Sequence, residues 1–189
     1  MITVYFLGLM CMLHFRLLSL LDFLYSYNTL SVISLFNAYN LSYYFEFIRL
    51  ITFNLFHSDL NHLLINMISF INFGIPVEDF FNNFNKFLYP KIIFQLAFFT
   101  GIFSFIFNFL FYYFTNNQYY LIVKLNGFSG VLFGLQYIFY YLHTNSKQES
   151  LKRVLIHLFY ISLVTRGTSF IGHFSGICSG VLVNNLIGI

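Results

Sequence analysis

Residues 92–123 read IIFQLAFFTGIFSFIFNFLFYYFTNNQYYLIV, with no Asp, Glu, Lys or Arg in the stretch. A helix needs about 20 mostly apolar residues to cross a bilayer, and this run exceeds that. Outward from it, other uncharged stretches cover 23–45, 60–77, 125–146 and 167–189, with shorter ones at 1–15 and 154–165. The pattern therefore belongs to the whole chain and not to one anchor.

Composition agrees. Of 189 residues, 59% are hydrophobic and 8% are charged, whereas a soluble domain carries about 25% charged residues. Such a chain cannot wet a globular surface, and it is too apolar to be disordered. The net charge of +3 is too small and too scattered for a nucleic-acid surface. Cys11 and Cys178 lie near opposite ends inside apolar runs, so they offer neither a disulfide framework nor zinc spacing. They read as small apolar fillers.

The expected fold is all-α: a polytopic membrane bundle of six transmembrane helices in one domain over 1–189. The helices are expected at about 2–24, 59–77, 89–114, 128–144, 150–165 and 170–188. Ser58 or Asp59 is the expected cap of the second, and Pro90 suits the first turn of the third. Residues 1–24 have no basic start and no A-x-A site, so they read as a first span and not a cleaved signal peptide. The segment 25–56 is apolar but interrupted by Asn28, Asn37, Asn40, Ser42, Glu46 and Arg49. It reads as a large first loop lying partly in the bilayer against the helices.

Basic residues set the orientation. The loops on the side of both termini hold Lys86, Lys91, Lys147, Lys152 and Arg153, against Arg49, Lys124 and Arg166 on the other side. The positive-inside rule places both termini in the cytoplasm.

Polar residues inside spanning helices are costly and usually functional. One group is Gly127-Phe128-Ser129-Gly130, opening the fourth helix. A serine there has a free backbone N–H beside it and a favourable helix dipole, which suits a nucleophile whose substrate becomes an oxyanion. The same string is also a common helix-packing pattern. A second group is His173 with Gly176 and Gly180, at i, i+3 and i+7 on the sixth helix. Gly130 and Gly134 give the fourth helix its own small face. The two faces pressed together would bring His173 to Ser129 as a base, without a carboxylate, as a dyad. As a bland alternative, His173 is a packing histidine bonded to a carbonyl.

The third group is His62 and Asn66, i and i+4 on the second helix, both able to donate to an oxyanion. His57 lies five residues before His62, off that face. No H-E-x-x-H string or comparable cluster is present, so no metal and no cofactor are expected. His14, His143 and His157 have no partner pattern and are assigned to structure.

In order and spacing these motifs resemble the rhomboid intramembrane serine proteases, from about Glu46 to the end of the sequence. Arg49, His57, His62, Asn66, Gly74 and Glu78 resemble the family's first loop and second helix. Gly127-Phe128-Ser129-Gly130 matches its G-x-S-G motif, and Gly172-His173 with Gly176 and Gly180 resembles its sixth-helix motif. The resemblance implies Ser129 as nucleophile and His173 as general base. It implies His62, Asn66 and the Ser129 N–H as the oxyanion site, and Phe133 as a ring packed on the catalytic histidine. Arg49 and Glu78 fall where the family has polar anchors of the first loop, expected here to act separately. The form implied is the minimal six-helix one.

The implied partners are membrane-protein substrates, single-span or multi-span, within the lipid bilayer. A substrate helix would unwind over a water-filled cavity floored by Ser129. Two other readings stand beside this one. The first is a rhomboid-like pseudoprotease that binds membrane helices as a chaperone or dislocation factor. The second is a small transporter or channel, which the absence of internal repeats disfavours. Asp22, Asp59 and Asp79 form no paired motif for an aspartyl membrane protease.

Overall fold

The computed structural model describes residues 1–15, 29–31, 48–164 and 169–188. Every regular element among them is helical: α1 Ile2–His14, α2 Arg49–Thr52, a 3₁₀ turn Phe53–Leu55, α3 Leu60–Asn82, α4 Leu88–Thr115, α5 Tyr119–Ile122, α6 Ser129–Thr144, α7 Lys147–Val164 and α8 Phe170–Ile187. Of these, α3, α4 and α8 are long and apolar enough to cross a membrane.

The bundle is built around α8, which packs on α6 and α4; α3 leans on α6, and α1 on α3. The close packing follows from small residues. On α4, Ala97, Thr100, Gly101, Ser104 and Asn108 are buried, while Phe94, Ile106 and Phe109 are exposed. On α8, Ser175, Gly176, Ser179 and Gly180 are buried, the two glycines against α6. Thr100 donates from Oγ1 to Ser179 Oγ at 3.2 Å. Ser175 and Ser179 return their own protons to Ile171 O and Ser175 O, at 2.7 and 2.8 Å. Lipid tails are as apolar as leucine, so membrane helices associate through small residues and interhelical hydrogen bonds.

Three expectations are revised. The first helix ends at His14 with Phe15 as its C-cap; its expected continuation over 16–24 lies outside the described residues. The second helix runs on through Pro76 to Asn82, because a proline inside a membrane bundle is tolerated where neighbours satisfy the freed carbonyl. Glu78 is thereby inside the helix and buried. The short α5 was not expected at all.

Most of the expected embedded loop lies outside the described residues. Its described parts are packed on protein. Leu30, Leu50, Phe53 and Leu125 form a small buried cluster, α2 lies on α4, and Leu30 and Leu125 exchange two backbone hydrogen bonds of 2.8 Å.

Candidate active site

The site is assembled from the segment 53–66 on one side and the starts of α6 and α8 on the other. Asp59 is the N-cap of α3, in extended backbone, and accepts from His62 N–H at 2.8 Å. Ser58 donates to the other Asp59 oxygen at 2.8 Å and lies 3.2 Å from His62 Nδ1. The His62 N–H and then the Ser58 hydroxyl hold the Asp59 carboxyl below its ordinary range.

His57 precedes this cap and is buried. Burial first, and the His62 ring 5.1 Å away second, push its pKa down to about 3. It is therefore neutral, and its Nε2 accepts from Phe128 N–H at 3.4 Å. Phe53 O accepts from Gly127 N–H at 3.0 Å. Together these bonds fix the turn that opens α6.

Gly127 has φ +104°, and a β-carbon there would lie 2.5 Å from the His62 ring. Only glycine allows both that backbone and that ring. Phe128 is buried against Phe70 at 4.9 Å and Phe6 at 6.4 Å between ring centroids, so the residue before Ser129 is a core anchor. Ser129 then begins α6, whose first turn has no side-chain cap and keeps its N–H groups free.

On α8, Ser169 caps the helix by accepting from Gly172 N–H at 3.1 Å. His173 follows one turn later, 5% exposed, with Nε2 3.0 Å from Ser129 Oγ. Its Nδ1 is buried without a hydrogen-bond partner among the described residues. Phe133 lies against its ring, with centroids 4.6 Å apart and planes 31° apart. The pairing depends on the α6–α8 crossing. There Gly176 lies against the Gly130 carbonyl, and a β-carbon at Gly180 would lie 2.7 Å from Gly134 O.

Ser129, His173, His62, Asn66, Gly127, Gly130 and Phe133 thus line one cavity of about 400 Å³. The Asn66 side-chain nitrogen is buried and unpaired among the described residues. His57, Gly176 and Gly180 stand behind this wall. Arg49 and Glu78 lie elsewhere. Arg49 donates from Nη1 to Thr29 O at 3.2 Å, and Glu78 accepts from the backbone N–H groups of Ile2 and Thr3. Among the described residues no three His, Cys, Asp or Glu side chains group as metal ligands.

Sequence reasoning missed part of the cavity's lining. His157, assigned to structure, reaches it from α7, and Gln136 reaches it from α6. A signal was present, since Ser129, Phe133 and Gln136 stand at i, i+4 and i+7 on one face of one helix.

A site sunk between apolar helices defines an integral membrane protein of the polytopic helical class. The rhomboid domain model matches residues 44–188. The chain belongs to the rhomboid family, a family of intramembrane proteases that act on membrane-protein substrates. No curated protein and no solved structure matches the chain.

Proposed function

We propose that this chain is an active intramembrane serine endopeptidase that cleaves membrane-spanning segments through a Ser129–His173 dyad. One observation carries the reading: His173 Nε2 lies 3.0 Å from Ser129 Oγ in a cavity that also collects unpaired donors. The distance is hydrogen-bond reach for a nucleophile and its base.

The chemistry follows from the groups present. His173 Nε2 takes the hydroxyl proton as Ser129 Oγ attacks the scissile carbonyl. The resulting oxyanion is met by the Ser129 N–H, by Asn66 and by His62. The imidazolium then returns its proton to the leaving amine, and the peptide C–N bond breaks. Water then gives a proton to His173 and attacks the acyl carbonyl; as the ester C–O bond breaks, His173 passes that proton to Ser129 Oγ and the acid product leaves. Phe133 holds the His173 ring plane throughout.

We assign the six spans to α1, α3, α4, α6, α7 and α8 within a single domain, with both termini cytoplasmic. Spanning a core of about 30 Å takes about 20 residues, and α6 has 16. Its start therefore sits below the surface, which suits a water-filled recess in which a substrate helix unwinds.

The test is labelling with a fluorophosphonate together with cleavage of single-span substrates. Labelling at Ser129, with cleavage lost in Ser129→Ala and His173→Ala, is the expected result. An unlabelled Ser129 in folded protein would favour the pseudoprotease reading instead.

A further inference from the structure

The cavity does not stop at the dyad. Its lining also takes in Phe73 of α3, Gln136 of α6, and His157 and Ile161 of α7. We propose that this part of the cavity is a subsite for a substrate side chain that donates a hydrogen bond, recognised by Nε2 of His157. The proposal rests on the chain binding a membrane-spanning segment in the site described above.

The hydrogen-bond network sets the chemistry of that nitrogen. The Gln136 amide nitrogen donates to the Tyr140 hydroxyl at 3.5 Å, so its Oε1 faces His157. A carboxamide oxygen only accepts. His157 Nδ1, 2.8 Å away, therefore carries the ring proton and donates it. A neutral imidazole has one N–H, which leaves Nε2 as a bare acceptor. Among the described residues nothing donates to it.

Its nearest walls are mostly apolar, with Ser69 and Asn66 also in the cavity lining. Phe133 lies against the His157 ring, with centroids 5.4 Å apart, and Phe73 and Ile161 are in the same lining. A few oriented polar atoms in a mostly apolar recess are how binding pockets discriminate between ligands. A ligand that supplies a donor satisfies the nitrogen, whereas an apolar isostere leaves it unpaired and desolvated.

Geometry limits which ligand atom arrives. Gln136 is seven residues beyond Ser129 on the same helix, about 10 Å along the axis at about 1.5 Å per residue. An extended strand covers about 3.3 Å per residue. The side chain that reaches His157 thus stands about three residues from the scissile bond, on the side toward the bilayer interior. Serine, threonine and carboxamide side chains have the required donor. The site is specific for a class of residue and not for one sequence.

The test uses spanning peptides in which threonine or valine is placed in turn at each position around the cleaved bond. Binding is measured by fluorescence anisotropy to detergent-solubilised Ser129→Ala protein, so the readout does not depend on turnover. At a position about three residues from the bond, the threonine peptide should bind about fivefold tighter, the scale of one net hydrogen bond. That preference should vanish in Ser129→Ala carrying His157→Phe, which keeps a ring on Phe133, and in the same protein carrying His157→Leu. A threonine-to-valine ratio within about twofold at every position would overturn the subsite. So would an equal preference in the His157→Phe protein. Wild-type cleavage of the same peptides separates the two readings. A threonine preference without cleavage sinks the protease assignment alone, and cleavage without a preference sinks the subsite alone.

Discussion

Gly176 lies against the main-chain carbonyl of Gly130, so closely that a β-carbon at 176 would overlap it. The contact sets the α6–α8 crossing one residue from Ser129 and about one turn from His173. Gly176→Ala must therefore push the helices apart, at a cost of about 1–3 kcal/mol for overpacking. Gly8→Ala, where nothing lies within 4 Å of the new carbon, should not destabilise and should gain up to about 1 kcal/mol of helix propensity. Thermal unfolding of both variants in detergent checks this. Equal melting temperatures for Gly176→Ala and wild type would rule out the close crossing.

His62 and Asn66 present their side chains to the cavity beside Ser129. As transition-state donors, each should be worth about 2.7–4 kcal/mol, or about 100- to 1,000-fold in kcat. His62→Ala and Asn66→Ala should lower kcat while KM changes little. If KM rises and kcat holds, the two residues bind the ground state and do not stabilise an oxyanion.

Much of this architecture was legible in the sequence. Five helices fall within five residues of expectation, because uncharged runs bounded by Lys, Pro and Asn mark them sharply. The Gly130/Gly134 and Gly176/Gly180 faces were readable from spacing alone. What was not readable depends on tertiary partners. Glu78 looked like a helix-end anchor, yet the helix passes through Pro76 and buries it. His157 had no sequence partner because its partner, Gln136, is on a different helix. Proximity across helices leaves no periodic trace.

Asp59 gives a pH prediction. Its carboxyl is held below the ordinary range first by the His62 N–H and next by Ser58. A carboxyl depressed in the fold lends stability above its unfolded pKa, about 4. That stability is lost as the pH falls through the lower folded value. Asp59→Asn keeps an N-cap oxygen but takes up no proton. Wild type should melt higher than Asp59→Asn at pH 7, and the gap should close below about pH 4. A gap that stays constant down to pH 3 would place the effect elsewhere.

The last prediction concerns two charged groups of opposite sign that hold different partners. Glu78 is 1% exposed and accepts from the N–H groups of Ile2 and Thr3, the latter at 2.9 Å. Its carboxylate thus caps α1 from another helix, where a negative charge favours the helix dipole. Thr3 is tied further by its hydroxyl, 2.9 Å from that of Tyr89. Arg49 opens α2 and donates to Thr29 O at 3.2 Å, which ties the first loop to itself. Removing Glu78 strands buried N–H groups, at about 1–3 kcal/mol each, and removing Arg49 frees the part-buried Thr29 carbonyl at a smaller cost. Arg49→Ala and Glu78→Ala should both lower the unfolding temperature, with activity falling in step and activity per folded molecule preserved at low temperature. Because the partners differ, the double variant should be additive within about 0.3–0.5 kcal/mol. Unfolding free energies of the four proteins close that cycle. A coupling well above about 1 kcal/mol, in the range found for residues in contact, would make the two a direct pair. Loss of activity in Arg49→Ala without loss of stability would instead make Arg49 part of the site.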